Sequence, residues 1–384
     1  MLRLILGRAG SGKTTQVLQR LCRGGPDKRQ ILMVPEQQSH EAERALCRFG
    51  GDSVSLYAEV LSFSRLSNRV FLAEGGMGEP ELDAGGRILM MHRAVRSVAS
   101  QLTVYARPSR RPAFLEELLS TVDELKSCCV RPELLLQAGE EAGAGEGDKL
   151  HDLGLICTAY EALSARTALD PRDRLTRTAE KLRDCPWAQG ADLWLDGFTD
   201  FTPQQQEVLR ELLKQADTVT VTLTCDHLEE DEGGAGIFSP ARRTAAQLLQ
   251  LAKRERIFCE VETLDGQDPA KAPELQMVER QLFAQERLEP VSCGGAVELF
   301  QASTPRSEVE WTAARIRELV RKEGYRYRDI GVVARDFAAY QPLIESVFPR
   351  YEIPVFSSAM TDILEKPILT LVTAALDTVA NGYR

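Results

Sequence analysis

Leu2, Leu4, Ile5 and Leu6 make a short apolar run that ends in a cluster of glycines, and an amphipathic stretch follows over residues 15–22. That order predicts strand, loop, helix. A second apolar run, Ile31-Leu32-Met33-Val34, stops at Pro35, and residues 54–63 carry the β-branched and aromatic side chains of a third strand. From residue 86 to residue 182 the period changes. Ile88, Met91, Val95 and Val98, then Phe114, Leu118, Val122 and Leu125, recur at the spacing of one helix face, so an all-helical insertion is expected. Residues 139–148, rich in Gly, Ala and Glu, read as a mobile surface loop within it. Strands resume at residues 192–195 and 219–223, each after a helical stretch. Strands alternating with helices predict a parallel α/β sheet split by the insertion.

Two connectors are expected at residues 229–236, acidic and glycine-rich, and at residues 265–273. A second α/β unit begins near Ala296, with strands expected at 297–301 and 330–334 and helices at 308–322 and 338–347. Residues 368–379 are helical in pattern and the chain stops soon after them, as a truncated chain would. The segments expected are therefore 1–75, a first sheet domain; 76–184, the helical insertion; 185–294, the return of the first domain; and 295–384, an unfinished second one. No repeat at a fixed period stands out.

At 384 residues the chain exceeds the size of one hydrophobic core. Its 43% hydrophobic and 27% charged residues are those of a globular protein. No stretch approaches the roughly 20 apolar residues of a membrane helix, and the N-terminus has no cleavable apolar leader, so a cytoplasmic protein with no membrane partner is expected. The nine cysteines are dispersed, and the adjacent Cys128 and Cys129 do not make a zinc-type pair. A net charge of −10 argues against a surface coated with nucleic acid, but residues 1–50 hold nine Lys and Arg against four Asp and Glu. That favours one focused anion site on an acidic body.

The site is written in Gly7-Arg8-Ala9-Gly10-Ser11-Gly12-Lys13-Thr14, which fits G-x-x-x-x-G-K-[ST] between a strand and a helix. Glycines let successive amides curl round phosphate oxygens, and the helix N-terminus, with Thr15 in its first turn, adds its positive end. Lys13 reaches the terminal phosphates and Thr14 ligates Mg2+, so ATP with magnesium is the expected ligand. The bland alternative is a glycine-rich turn with an exposed lysine. A site of this kind also needs a carboxylate at the end of a neighbouring strand, and Leu193-Trp194-Leu195-Asp196 supplies one as a second magnesium-holding residue; its alternative role is a turn before Gly197. Gly197 stands where a water-activating glutamate would be, so binding should outlast hydrolysis.

The loop at residues 7–14, Val34-Pro35-Glu36-Gln37, Leu61-Ser62-Phe63-Ser64-Arg65-Leu66, Lys149-Leu150-His151-Asp152-Leu153, the run from Asp196 to Gln204 and Glu308-Val309-Glu310 occur in an order that resembles AddB, the B subunit of the bacterial AddAB helicase-nuclease. The resemblance spans the chain. It implies a P-loop NTPase fold, RecA-like and of the UvrD type, with a helical insertion and the start of a second RecA-like domain. Ser62-Phe63-Ser64 and Asp196 to Asp200 resemble relics of helicase motifs, with Gly197 in place of glutamate and Thr199 in place of the phosphate-sensing glutamine. Thr224-Cys225-Asp226 lacks the glutamine and tyrosine of active motors, and the segment that would recognise adenine before the first strand is absent, which leaves base selectivity open.

Val332-Val333-Ala334-Arg335 resembles the strand of a second motor domain whose arginine faces the nucleotide; the alternative for Arg335 is a surface ion pair. The resemblance further implies a path for single-stranded DNA. Phe63 and Phe201 would offer stacking faces, Arg65 a phosphate or base-edge donor, and Gln37 and Ser39 hydrogen bonds to bases. Both phenylalanines have a core role as the alternative, and Gln37 a helix cap. The implied partner is an AddA-type motor and nuclease subunit in a heterodimer acting in double-strand-break repair. The family's nuclease site and iron-sulfur cysteines belong to later parts of a longer chain and are not expected here. Rival readings are a DNA-stimulated ATPase motor, a small-molecule P-loop kinase, and a scaffold with a vestigial loop.

Overall fold

The computed structural model describes residues 1–108, 111–143, 145–229, 236–266, 271–281, 294–356, 363 and 366–383. Most of the expected connector at 229–236, and residues 267–270 of the second connector, lie outside the described residues. The chain divides into two compact units, Met1–Gly294 and Gly295–Arg384.

In the first unit, β1 (Leu2–Gly7), β2 (Arg29–Met33), β3 (Ala58–Leu61), β4 (Ala191–Leu195), β5 (Thr218–Thr224) and β6 (Cys259–Leu264) form one sheet in the order β3-β2-β4-β5-β1-β6. Every neighbouring pair is parallel. The expected parallel α/β sheet is therefore present. Strands β1 and β2 are largely apolar because both faces are covered, and central β5, in which Thr alternates with Val and Leu, is buried from Val219 to Leu223. On one face, α1 (Lys13–Gly24) and α2 (Ser39–Gly50) bring Val17, Leu21 and Leu46 against Leu32, Val60 and Trp194. On the other, α3 (Phe63–Glu74), α8 (Arg174–Asp184), α9 (Pro203–Gln215) and α10 (Ser239–Arg254) bury Leu66, Leu182, Leu212 and Leu248 against Leu4, Met33 and Leu193. With both faces filled, the carboxyl ends of the strands are the part of the sheet left to meet a ligand.

β6 has no apolar run to announce it. It is an edge strand whose Glu260 and Glu262 pair with Arg3 at 3.0 Å and Arg20 at 2.7 Å, and outward charge on an edge suppresses pairing with a stray strand.

Between β3 and β4, helices α4 (Ala84–Val98), α5 (Pro112–Ser127), α6 (Pro132–Glu141) and α7 (Glu146–Thr167) enclose a core of their own that includes Met91, Val95, Leu118, Val122, Ile156 and Tyr160. Among the described residues of 139–148, residues 139–141 end α6 and 146–148 begin α7, so helix takes up most of what its composition suggests is a mobile loop. The glycines serve close packing: a Cβ on Gly147 would lie 2.5 Å from Gly139 O, and one on Gly139 would lie 3.0 Å from Gly147 O. After β6 the first unit adds α11 (Pro273–Gln281).

The second unit holds α12 (Pro305–Lys322), α13 (Phe337–Val347) and α14 (Pro367–Ala380), with Val309, Ile316, Ile344 and Phe348 in its core. The strands expected at 297–301 and 330–334 are not formed among the described residues. Strand-like sequence becomes a strand only when a neighbour satisfies its backbone, and here Leu299 and Val333 are 100% and 94% exposed.

Candidate functional site

β1 runs buried to Gly7, and the chain then turns through Gly10 (φ 78°) and Gly12 (φ 88°) into α1. Both torsions lie in the left-handed region, which glycine enters without steric penalty. Gly7 has a different constraint, since a Cβ there would lie 2.3 Å from Ser11 Oγ. Gly12 caps α1 without a side-chain hydrogen bond, so amides of the first turn stay open at the positive end of the helix. Among the described residues, Ser11 Oγ and Gln16 Oε1 are buried without a partner.

Lys13 Nζ folds back to donate to Gly7 O at 2.6 Å and Arg8 O at 2.9 Å. Burial pulls its pKa below the usual lysine value, against the opposing pull of Asp196 and Glu279. Thr14 Oγ1 donates to Asp196 Oδ2 at 2.7 Å, and Thr222 Oγ1 on β5 donates to Asp196 Oδ1. The end of β4 thus places one carboxylate against the hydroxyl that opens α1. Ala9 and Thr15 are exposed on the loop and the first turn. Arg8 turns away: it reaches Asp226 Oδ2 at 3.0 Å and Glu279 O at 3.1 Å, and Asp226 in turn accepts from the buried Arg242 at 2.8 Å.

A family model described as "ADDB, N-terminal" matches residues 4–279. The chain is 35% identical, over all of its own length and 34% of the relative's, to the B subunit of the ATP-dependent helicase/deoxyribonuclease of Pelotomaculum thermopropionicum. Proteins of the same name from Thermoanaerobacter sp. (35% identical, 98% of this chain and 33% of the relative) and Acetivibrio thermocellus (34% identical, 98% and 34%) are similar to it. The chain belongs to the AddB N-terminal family. It spans about a third of the length of these relatives.

Within this AddB-type unit the residues proposed to meet DNA do not share one surface property. Gln37 is exposed in the short turn Glu36–Gln38, while Ser39 is buried, its Oγ unpartnered among the described residues. Arg65 donates to Glu43 at 2.6 Å and lines a cavity of about 430 Å³ beside β3. Phe63 and Phe201 do not offer open faces: they are 7% and 5% exposed, belong to the sheet core, and meet each other edge-on at 6.3 Å. Phe198, half-buried, packs on both. Their core role follows from position, because the 198–201 turn folds over the start of α3 and apolar rings there exclude water. Arg335 belongs to the second unit, exposed on a cavity of about 430 Å³ with Glu308, Thr312 and Tyr340. It makes no ion pair among the described residues, unlike the surface pair that was its alternative.

Sequence reasoning missed Thr222, Gln38, Arg242 and Glu279, and it quoted Asp226 only within Thr224-Cys225-Asp226, without a contact for it. Thr222 is one of four threonines that alternate with Val and Leu in β5, and it could be singled out only once β5 was placed beside β4. Gln38, Asp226 and Glu279 depend on contacts across more than a hundred residues, and Arg242 on the turn of α10 back toward Asp226, 16 residues away. Among the described residues no helix is long and apolar enough to cross a membrane.

Proposed function

We infer that the first unit binds a nucleoside triphosphate with magnesium at the Gly7 to Thr14 loop, as the N-terminal region of an AddB-type helicase-nuclease subunit with a RecA-like, UvrD-type fold. The observation that carries the reading is the meeting of uncapped amides, Lys13 and the Thr14–Asp196 pair at the carboxyl ends of β1 and β4. The donor set fits the ligand. Among the described residues, Lys13 donates to two loop carbonyls that a phosphate oxygen would replace and Ser11 Oγ lacks a partner, and a hydroxyl beside a carboxylate is what a hard divalent cation takes. Magnesium would neutralise charge on the phosphates. The protein's own groups orient them, and no carboxylate follows Asp196 to accept a proton from water, so turnover is slow.

By extension from the relatives' shared name, the complete protein works on DNA with a motor subunit of the AddA type, in the cytoplasm, and this unit contributes part of a single-strand path that includes Gln37 and Arg65. Core placement of Phe63 and Phe201 moves the weight of that path onto polar contacts and phosphates. Arg335 is the candidate second-domain arginine.

The test is thermal unfolding with and without magnesium-ATP. A ligand at about 100 times its Kd adds about 2.7 kcal/mol, a rise of several degrees. Lys13→Ala is expected to lose it. A melting temperature that ignores nucleotide removes the reading, and rapid DNA-stimulated turnover would instead favour an active motor. A single-stranded oligonucleotide should bind with affinity that falls steeply as salt rises.

A further inference from the structure

Gly197 follows Asp196 at the place where a glutamate is missing, yet the position is not empty. Its backbone is left-handed, with φ 81°, a region that side chains with a Cβ enter only at a cost. A Cβ built on it would lie 2.4 Å from Gln38 Oε1, 3.3 Å from its Cδ and 3.4 Å from its Nε2. The carboxamide of Gln38 therefore fills the volume that a side chain at position 197 would take. Gln38 is held there by its backbone: its amide donates to Pro35 O at 2.9 Å, and the Asp196 amide donates to Met33 O at 3.0 Å, which ties the ends of β2 and β4 together. Among the described residues no hydrogen bond engages the Gln38 side chain, which is exposed at the rim.

We propose that Gln38 is a specificity-determining residue of the nucleotide site, contacting the terminal phosphate from the place of the missing glutamate and making the site prefer a nucleoside triphosphate to a diphosphate. This rests on the nucleotide-binding reading above. A carboxamide has an N–H pair to donate to an anionic oxygen and carries no charge to repel it. It also has no titratable oxygen to take a proton from water. Gly197 is then a permissive partner for Gln38 and not merely a deletion: returning a side chain at 197 would have to displace the carboxamide and accept the left-handed torsion. The assignment gives the site a way to tell the two nucleotides apart at the one phosphate by which they differ. A hydrogen bond to a charged group corresponds to about 10- to 100-fold in affinity.

The experiment titrates magnesium-ATP and magnesium-ADP separately into wild type, Gln38→Ala and Gln38→Glu, read by calorimetry and by melting temperature. Wild type is expected to bind ATP more tightly than ADP. Gln38→Ala should weaken ATP about tenfold and leave ADP within about twofold. Gln38→Glu should weaken ATP further at neutral pH through repulsion of like charge, and recover as pH falls toward the ordinary glutamate pKa of about 4.3. Because Gln38 is exposed, the melting temperature without nucleotide should stay unchanged in both variants, which separates a lost contact from a damaged fold. Equal losses for both nucleotides, or none, overturn the assignment while leaving nucleotide binding intact. If wild type binds neither, the nucleotide reading itself fails and Gln38 falls with it.

Discussion

At the scale of single residues Lys13, at the end of the glycine-rich loop, is a liability to the folded chain. Lys13 sits half-buried in the first turn of α1, where a cation opposes the helix dipole and loss of water lowers its pKa. A lysine whose folded pKa is lowered binds fewer protons than the unfolded chain between that pKa and the ordinary value of 10.5. Stability should therefore rise with pH through that window. Lys13→Met is expected to be more stable than wild type without nucleotide by about 0.5 kcal/mol at pH 7, to lose that advantage as pH approaches the upper end of the window, and to gain nothing from magnesium-ATP. Urea melts at several pH values measure all three; a variant less stable than wild type at pH 7 would mean that the bonds to Gly7 O and Arg8 O outweigh the dipole and burial. The loop itself was legible because its eight residues are contiguous and its torsions demand glycine. Gln38, Asp226 and Arg242 were not, since their meaning comes from strand order: Gln38 matters only once β2 lies beside β4, and Arg242 only once it reaches Asp226 from α10.

Among the elements, strands with two buried faces could be read directly and the edge strand could not. β1 and β4 are written as apolar runs, whereas Cys259-Glu-Val-Glu-Thr-Leu264 alternates and reads as surface. The helical layer hides its organisation in the same way, because polar groups hold it together. Asp152, fully buried, accepts the amides of Thr103, Val104 and Tyr105 at 2.8–3.1 Å and so fixes the chain after α4. Asp170, its side chain wholly covered, joins Lys126 at 2.9 Å, Arg87 at 3.1 Å and the Tyr160 hydroxyl at 3.0 Å. Burial would raise the Asp170 pKa, but Lys126, the Arg172 amide and Arg87 together hold it below the ordinary carboxylate value. A carboxylate with a lowered pKa contributes stability above its unfolded pKa and loses it as pH falls through the folded one. Asp170→Ala should cost about 3 kcal/mol at pH 7, since it strands two buried cations, and the difference from wild type should shrink below the ordinary aspartate value of 3.8. Chemical denaturation at pH 7 and pH 3 checks this. Asp123 and Asp173 also pair with Arg87 and Lys126, and a loss under about 1 kcal/mol would show that they suffice.

For the whole molecule, the formal charge of −10 and the apolar surface of the second unit pull in opposite directions. Net charge keeps copies apart only while no contiguous apolar face invites contact. α14 presents such a face: none of its residues is buried, and Ile368, Val372, Leu376 and Val379, spaced to lie along one stripe, are 71%, 48%, 63% and 58% exposed. A stripe of that kind is normally covered, because each fully exposed aliphatic side chain forgoes about 1.5–3 kcal/mol of burial. The chain alone is expected to associate through it at tens of micromolar protein, with sedimentation velocity showing a dimer that grows with concentration. Val372→Lys with Leu376→Lys should return the sample to monomer without lowering the melting temperature, since neither side chain contributes to the unit's core. High salt tests the other half of the balance: screening the net negative charge should promote association of the wild type and leave the double variant monomeric. If the wild type stays monomeric at every salt concentration, repulsion is not what holds the copies apart, and α14 would then have to be covered within a single chain in solution.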